Sequence, residues 1–151
     1  MNEIMKKAAE NLWETIGQDK IMVLATKNGD GVAARTVNVY AFDGNFYFVT
    51  EADSNKYAQI SKNANVALSI DAIQITGHAI LLEHPSSEAN KQVISAVEKE
   101  LPQQFARYTS IPIMRLIKVK PMYASFLSLK TGKGYIVNFK ENTAVPIKHE
   151  M

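Results

Sequence analysis

The stretch Val32–Lys56, VAARTVNVYAFDGNFYFVTEADSNK, decides the fold because it holds a hairpin followed at once by the start of a helix. Residues 32–42 alternate between two faces, one with Arg35, Val37 and Val39 and the other with Thr36, Asn38 and Tyr40. This period of two predicts a strand. Asp43-Gly44 is a typical hairpin dipeptide, since both residues tolerate positive φ. The aromatic and β-branched segment Phe46–Thr50 predicts the returning strand.

The hairpin register predicts which side chains meet. A two-residue turn pairs Phe42 with Asn45. Extended along both strands, this register places Arg35 opposite Ala52, and a three-residue turn would shift that partner by one residue. In either case we expect the Arg35 guanidinium beside the loop 51–55.

The same loop is predicted to start a helix. Asp53 or Ser54 is a suitable N-cap for a helix that begins near Asn55. Arg35, Lys56, a serine hydroxyl and free helix N–H groups would then share one small region, which suits a phosphate dianion. The same residues also allow a second interpretation, in which Arg35 and Lys56 are solvated or pair with the two carboxylates of the loop.

Three segments, in this order, carry a family resemblance: Arg35–Asn38 (RTVN), Val49-Thr50, and Ser54–Ile60 (SNKYAQI). They resemble the FMN-binding split barrels related to pyridoxamine 5'-phosphate oxidase. In that family an R-x-V-x strand, an aromatic return strand ending in Thr and an S-x-K helix start hold the cofactor. The resemblance covers roughly residues 21–139.

The resemblance implies a cofactor site for FMN. Arg35 and Lys56 would bind its phosphate, with hydrogen bonds added by Ser54 and the helix N-terminus. The oxidase itself carries Arg where this chain has Asn55, so one phosphate charge is missing here. The residues implied to line the ribityl chain and the ring are Thr36, Val37, Asn38, Val49 and Thr50.

One further ring contact is implied less directly. In the family resembled, a Gln a few residues ahead of a comparable glycine often reaches the flavin ring. The matching position before Gly77 is Ala72, and Gln74 lies two residues on and on the same face, so it is the implied substitute. No catalytic residue is identified.

The resemblance also implies partners and an activity. Such barrels are usually homodimers with the flavin between subunits, so the second subunit contributes part of the flavin pocket. The candidate residues for that part are Tyr108, Met114, Arg115 and Tyr123. The expected activity is transfer of hydride or electrons from NAD(P)H to a small acceptor. Oxidation of pyridoxamine phosphate itself is not expected, because the oxidase's C-terminal tryptophan and its Arg/His signature have no counterpart after Thr131. The alternatives are a haem- or deazaflavin-binding relative and a non-catalytic flavin-binding electron carrier.

The amino-acid composition excludes several classes of function. The 151 residues carry a net charge of only +2 and no cysteine, which argues against nucleic-acid binding, disulfides and thiolate chemistry. The three histidines are too scattered for a metal motif. No apolar run predicts a signal peptide or a membrane span, so a cytoplasmic protein is expected.

Periodicity along the chain predicts a mainly β (α+β) fold. We expect one domain over 2–141, followed by a polar and frayed tail over 142–151. The helices are predicted at 2–16, 56–62 and 86–100, with a further helical turn at 103–108. The strands are predicted at 21–26, 32–42, 46–50, 66–70, 73–82, 114–119, 122–129 and 135–139. An antiparallel sheet of six to eight strands closes into a barrel to remove its edges, and the resemblance implies the split type with peripheral helices.

Overall fold

The computed structural model describes residues 3–127 and 132–147 and contains eight strands and four α-helices in that part of the chain. In chain order the elements are α1 Glu3–Ile16, β1 Asp19–Asn28, β2 Gly31–Phe42, β3 Asn45–Glu51, α2 Asn55–Lys62, β4 Asn65–Ile70, β5 Ile73–Leu81, α3 Lys91–Glu100, α4 Pro102–Ser110, β6 Met114–Leu127, β7 Gly134–Asn138 and β8 Thr143–Ile147. Each described helix is too short or too polar to cross a bilayer.

The strands form one antiparallel sheet in the order β3-β2-β1-β4-β5-β6-β7-β8. A further pairing of β3 with β6 closes the first six strands into a barrel, and β7 and β8 extend the sheet beyond it. The predicted fold class is therefore confirmed.

Side-chain alternation builds the core inside the barrel. Alternation is clearest in β1, which buries Met22, Leu24 and Thr26 and exposes Ile21 and Val23. The helix α1 packs its apolar stripe against β7 and β8. The Trp13 ring lies 4.9 Å from that of Phe46, so the single tryptophan is a packing residue.

A bulge opposite Gly77 keeps β6 continuous. The register between β5 and β6 shifts between Thr76 and Gly77, and a Cβ at residue 77 would lie 2.5 Å from the carbonyl oxygen of Lys120. Gly77 therefore marks both a bulge and a close approach of two backbones. The predicted break into two strands is wrong, because β6 runs through Pro121 with Met122 as the extra, bulged residue.

The seam between β2 and β3 is the split in the barrel. Phe42 pairs with Asn45 as predicted, and Asp43 and Gly44 both have positive φ. This ladder has only three pairs, the last being Tyr40 with Tyr47, although both strands are fully described. The expected pairing of Arg35 with Ala52 is wrong, because β3 leaves β2 to pair with β6 and close the barrel.

Three other predictions need correction. Residues 86–100 do not form one helix: Ser87 caps a 3₁₀ turn, Glu88–Asn90, and α3 follows. Pro102 does not only end that helix but also begins α4, which is longer than the predicted turn. Residues 143–147 are not frayed, since β8 pairs along its whole length with β7. The predictions for residues 2, 128–131 and 148–151, including His149, lie outside the described residues.

Candidate functional site

The start of α2 is a capped helix N-terminus at the barrel seam. The Ser54 hydroxyl accepts a hydrogen bond from the Tyr57 N–H at 3.2 Å, as an N-cap should. It also shares a hydrogen bond of 2.9 Å with the buried Thr50 hydroxyl at the end of β3. The N–H groups of Asn55 and Lys56 have no acceptor within the helix, because first-turn amides lack one. They remain donors for an anion.

Arg35 projects from β2 toward the second turn of this helix. Its Nη2 donates to Gln59 Oε1 at 2.6 Å, and its Nη1 donates to Thr26 Oγ1 at 2.8 Å and to the Leu24 carbonyl at 3.2 Å. The Thr26 hydroxyl donates in turn to Gln59 Oε1 at 2.6 Å. The guanidinium is therefore fixed in place by several hydrogen bonds from two strands and a helix.

All of these acceptors on the guanidinium are neutral. Arg35 is half-buried, and desolvation lowers its pKa from the usual value. Within residues 3–127 and 132–147 the side-chain ion pair is Lys91–Glu88, so neither acid of the 51–55 loop pairs with Arg35 or Lys56. The positive charge of the guanidinium is thus held at the seam without a carboxylate.

Lys56 lies on the same side of α2 as this network. Residues three apart on a helix are surface neighbours, about 5–6 Å between their Cβ atoms, so Lys56 lies next to Gln59. Because Arg35 is bonded to Gln59, the two cations share a neighbour. Arg35 thus reaches the second turn of the helix through Gln59 and not the preceding loop 51–55, where the hairpin register had predicted it.

Two of the implied cofactor residues point into the core. Val37 is 8% exposed and Thr50 is 1% exposed, so their side chains face the barrel interior. Their backbones border the seam where the β2–β3 ladder has ended. Only backbone groups of these two residues are available to a ligand in the seam.

Asn38 and Val49 lie on the outer side of the barrel, under the helical pair α3–α4. They line a small cavity of about 20 Å³ together with Tyr108 of α4. The Asn38 amide faces the Tyr108 hydroxyl and the Asp19 carboxylate across this cavity. Burial raises the pKa of Tyr108, an effect that the Asn38 contact partly offsets.

Thr36 and Gln74 share the outer face of the sheet but are not adjacent. Thr36 pairs with Val23, Val23 with Ser69, and Ser69 with Gln74, so directly opposed residues carry this row across four strands. Three strand spacings separate the two side chains by about 14 Å. The structure thus divides the implied cofactor residues among the α2 side of the seam, the α3–α4 side and the outer face.

Sequence reasoning missed Thr26 as a functional residue and treated Gln59 only as part of a motif. Both residues could have been identified from the sequence pattern. Thr26 continues the inward series of β1 as a polar residue among apolar ones, and Gln59 follows Lys56 by three residues, on the same side of the helix. Among the described residues no three His, Asp or Glu side chains are grouped so as to hold a metal ion.

Comparisons with known proteins agree with this geometry. The sequence profile of the family described as pyridoxamine 5'-phosphate oxidase matches residues 5–128. No curated protein sequence matches the chain.

Several solved structures share the fold. One is a pyridoxamine 5'-phosphate oxidase-related, FMN-binding protein from Nostoc punctiforme, with 16% identity, a TM-score of 0.62, and 97% of this chain and 93% of that chain covered. A second is HutZ, a haem storage protein from Vibrio cholerae, with 13% identity, a TM-score of 0.63, and 76% and 89% covered. A third is described as an F420 reductase, with 18% identity, a TM-score of 0.55, and 75% and 94% covered. The match of the family profile to most of the chain, on a six-stranded split barrel extended by two strands, shows that this protein belongs to the pyridoxamine 5'-phosphate oxidase-related family.

Proposed function

We propose that this protein binds FMN and that Arg35, Lys56 and the N-terminus of α2 hold the flavin phosphate. The observation that carries the proposal is the Arg35 guanidinium, which is half-buried, rigidly held and bonded only to neutral acceptors. A partly desolvated cation without a carboxylate is stabilised by an anionic ligand. The residues present therefore fit a phosphate group.

The rest of the flavin would extend from the phosphate along the β2–β3 seam. There the backbones of Thr36, Val37, Val49 and Thr50 lie beyond the last β2–β3 pair, Tyr40 with Tyr47, and make no ladder hydrogen bonds between these two strands. Asn38 would act through Tyr108, and Gln74 would contact the flavin only across a subunit interface, since it lies on the outer face. The Asn38 and Gln74 side chains would in this way orient the flavin ring and exclude water from it.

When bound, the flavin supplies the capacity to accept and pass on hydride or single electrons. We accordingly propose an oxidoreductase that passes reducing equivalents from NADH or NADPH to a small acceptor in the cytoplasm. The visible spectrum of the purified protein, with chromatography of the cofactor released by acid, tests the first step. Two flavin bands and released FMN support it; a colourless protein that fails to take up added FMN overturns it.

Bleaching of the bound flavin by NAD(P)H tests the second step. Bleaching supports an oxidoreductase, whereas a flavin that NAD(P)H does not reduce indicates a binding or electron-carrier module. We expect no peroxide production from pyridoxamine phosphate, because the chain's single tryptophan, Trp13, lies in the N-terminal helix and packs on Phe46.

We further propose a homodimer that pairs through the outer face of the barrel. Large apolar side chains are exposed there, including Ile21 at 66% and Val23 at 40% exposed. A row of small residues, Ala34, Ala25 and Ala67, crosses three adjacent strands of the same face, and Ala25 and Ala67 line a cavity of about 390 Å³ there. An apolar face of this kind fits a second copy of the chain. Analytical ultracentrifugation tests this, and a monomer at micromolar concentration would contradict it.

A second candidate cofactor follows from the shared fold. Solved structures with this fold include proteins described as a haem storage protein and as an F420 reductase. A Soret band in the purified protein, or a released deazaflavin, would favour that candidate over FMN.

A further inference from the structure

A polar cleft lies on the far side of Gln59 from the core. It has a volume of about 420 Å³ and opens between the β1–β2 turn and the outer face of α2. The residues that line it are Lys27, Asn28, Gly29, Asn55, Ala58, Gln59, Lys62 and Asn63. Two of these carry a positive charge and none is acidic. The cleft is thus electropositive and rich in amide donors.

Gln59 turns its donor group away from the arginine network. Its Oε1 accepts from both Arg35 Nη2 and the Thr26 hydroxyl, each at 2.6 Å. The reverse orientation of the amide would set its NH₂ against two donors, so the hydrogen bonds themselves determine the orientation. The Nε2 group is the remaining polar atom of a side chain that lines the cleft.

The cleft is continuous with the proposed phosphate site through α2. Asn55, at the first position of that helix, belongs to both. We propose that the cleft is a second anion subsite, which takes a further phosphate group belonging to a ligand longer than FMN. This inference rests on the proposed function. The shared chemistry is a phosphate beyond the flavin phosphate, and it has two sources: the second phosphate of an adenylated flavin, or the 2'-phosphate of NADPH.

The test uses the full-length protein and the double variant Lys27→Gln/Lys62→Gln. Its control is Lys6→Gln/Lys7→Gln, which removes the same charge from exposed positions on α1. Inorganic pyrophosphate is titrated while the Gly29 amide and the Gln59 side-chain NH₂ are followed by ¹⁵N-resolved NMR. We expect saturable shifts at both groups, an affinity about tenfold or more weaker in the cleft variant, and an affinity within about twofold of the unmodified protein in the control.

The source of the phosphate is identified by two affinity ratios, FAD against FMN and NADPH against NADH. If the cleft binds FAD, the FAD-to-FMN ratio should fall toward one in Lys27→Gln/Lys62→Gln. If it binds NADPH, the NADPH-to-NADH ratio should do so. Pyrophosphate that binds both double variants equally, or two ratios that the cleft variant leaves unchanged, would overturn the subsite. Failure to bind FMN would remove the proposed cofactor but not this test, because the pyrophosphate and NADPH titrations need no flavin.

Discussion

The substitution Gln59→Glu separates a structural role of Arg35 from a ligand-binding one. Glutamate keeps the shape of glutamine and leaves an oxygen in place of the one that now lies 2.6 Å from Arg35 Nη2. It makes this acceptor anionic and replaces the Nε2 donor, which lies on the other side of the residue, with a second oxygen. If Arg35 serves to tie β2 to α2, the new ion pair should be harmless or favourable. If Arg35 holds a phosphate, the same pair should compete with the ligand.

Gln59→Glu should leave the stability of the protein unchanged or slightly higher, but it should lower the affinity for FMN. Unit charges about 4 Å apart interact by about 4 kcal/mol at an effective dielectric of 20, and the partial exposure of Arg35 reduces the net gain in stability to about 0–1 kcal/mol. A charge-assisted contact to the phosphate is worth about 1.5–3 kcal/mol, so FMN affinity should fall about ten- to hundredfold. Riboflavin, which lacks the phosphate, should bind as before.

The assay measures flavin fluorescence quenching for FMN and riboflavin, together with urea unfolding of the same samples. Gln92→Glu is the control, because it makes the same charge change at an exposed position on α3. The reasoning is refuted if Gln59→Glu binds FMN with unchanged affinity, or if it weakens riboflavin as much as FMN.

Further predictions concern the phosphate contacts, the bulge and the outer face. Arg35→Ala and Lys56→Ala should each weaken FMN binding by about 1.5–3 kcal/mol in equilibrium dialysis, and equal binding of riboflavin and FMN by the unmodified protein would contradict the site. Gly77→Ala should lower the free energy of unfolding by about 1–3 kcal/mol, because its Cβ would lie 2.5 Å from a backbone oxygen. The control is Gly31→Ala, whose Cβ would lie 3.6 Å from the nearest atom and which should lower the free energy of unfolding much less in the same denaturant titration. Val23→Lys should convert the proposed dimer to a folded monomer, and a dimer of unchanged affinity in sedimentation would exclude the outer face.

The hairpin and the helix start could be predicted from the sequence because their causes are local. Asp43-Gly44 sets a two-residue turn through positive φ, and the pair Phe42–Asn45 follows from it. Ser54 caps α2 through a hydrogen bond spanning three residues. Alternation along β2 places Arg35 on the same face as Val37 and Val39.

The contacts of Arg35 could not be predicted in this way. The sequence register assumes that β2 and β3 stay paired, but closure of the barrel draws β3 to β6 after three pairs. Arg35 is then left opposite Leu24 and reaches Gln59, 24 residues away in the chain. Likewise, only the packing of α4 on the barrel places Tyr108 against Asn38, since no local pattern records where a helix docks.

By itself, then, the sequence determined most of the strands, the hairpin turn, the capped helix and the residue types that suit a phosphate, because dihedral preferences and side-chain periodicity act over a few residues. The tertiary structure decided where the barrel splits, which neutral groups hold the guanidinium, and which implied cofactor residues face the seam, the core or the outer surface. Those outcomes depend on closing the sheet between strands more than sixty residues apart, β3 and β6, and that closure is a property of the whole fold.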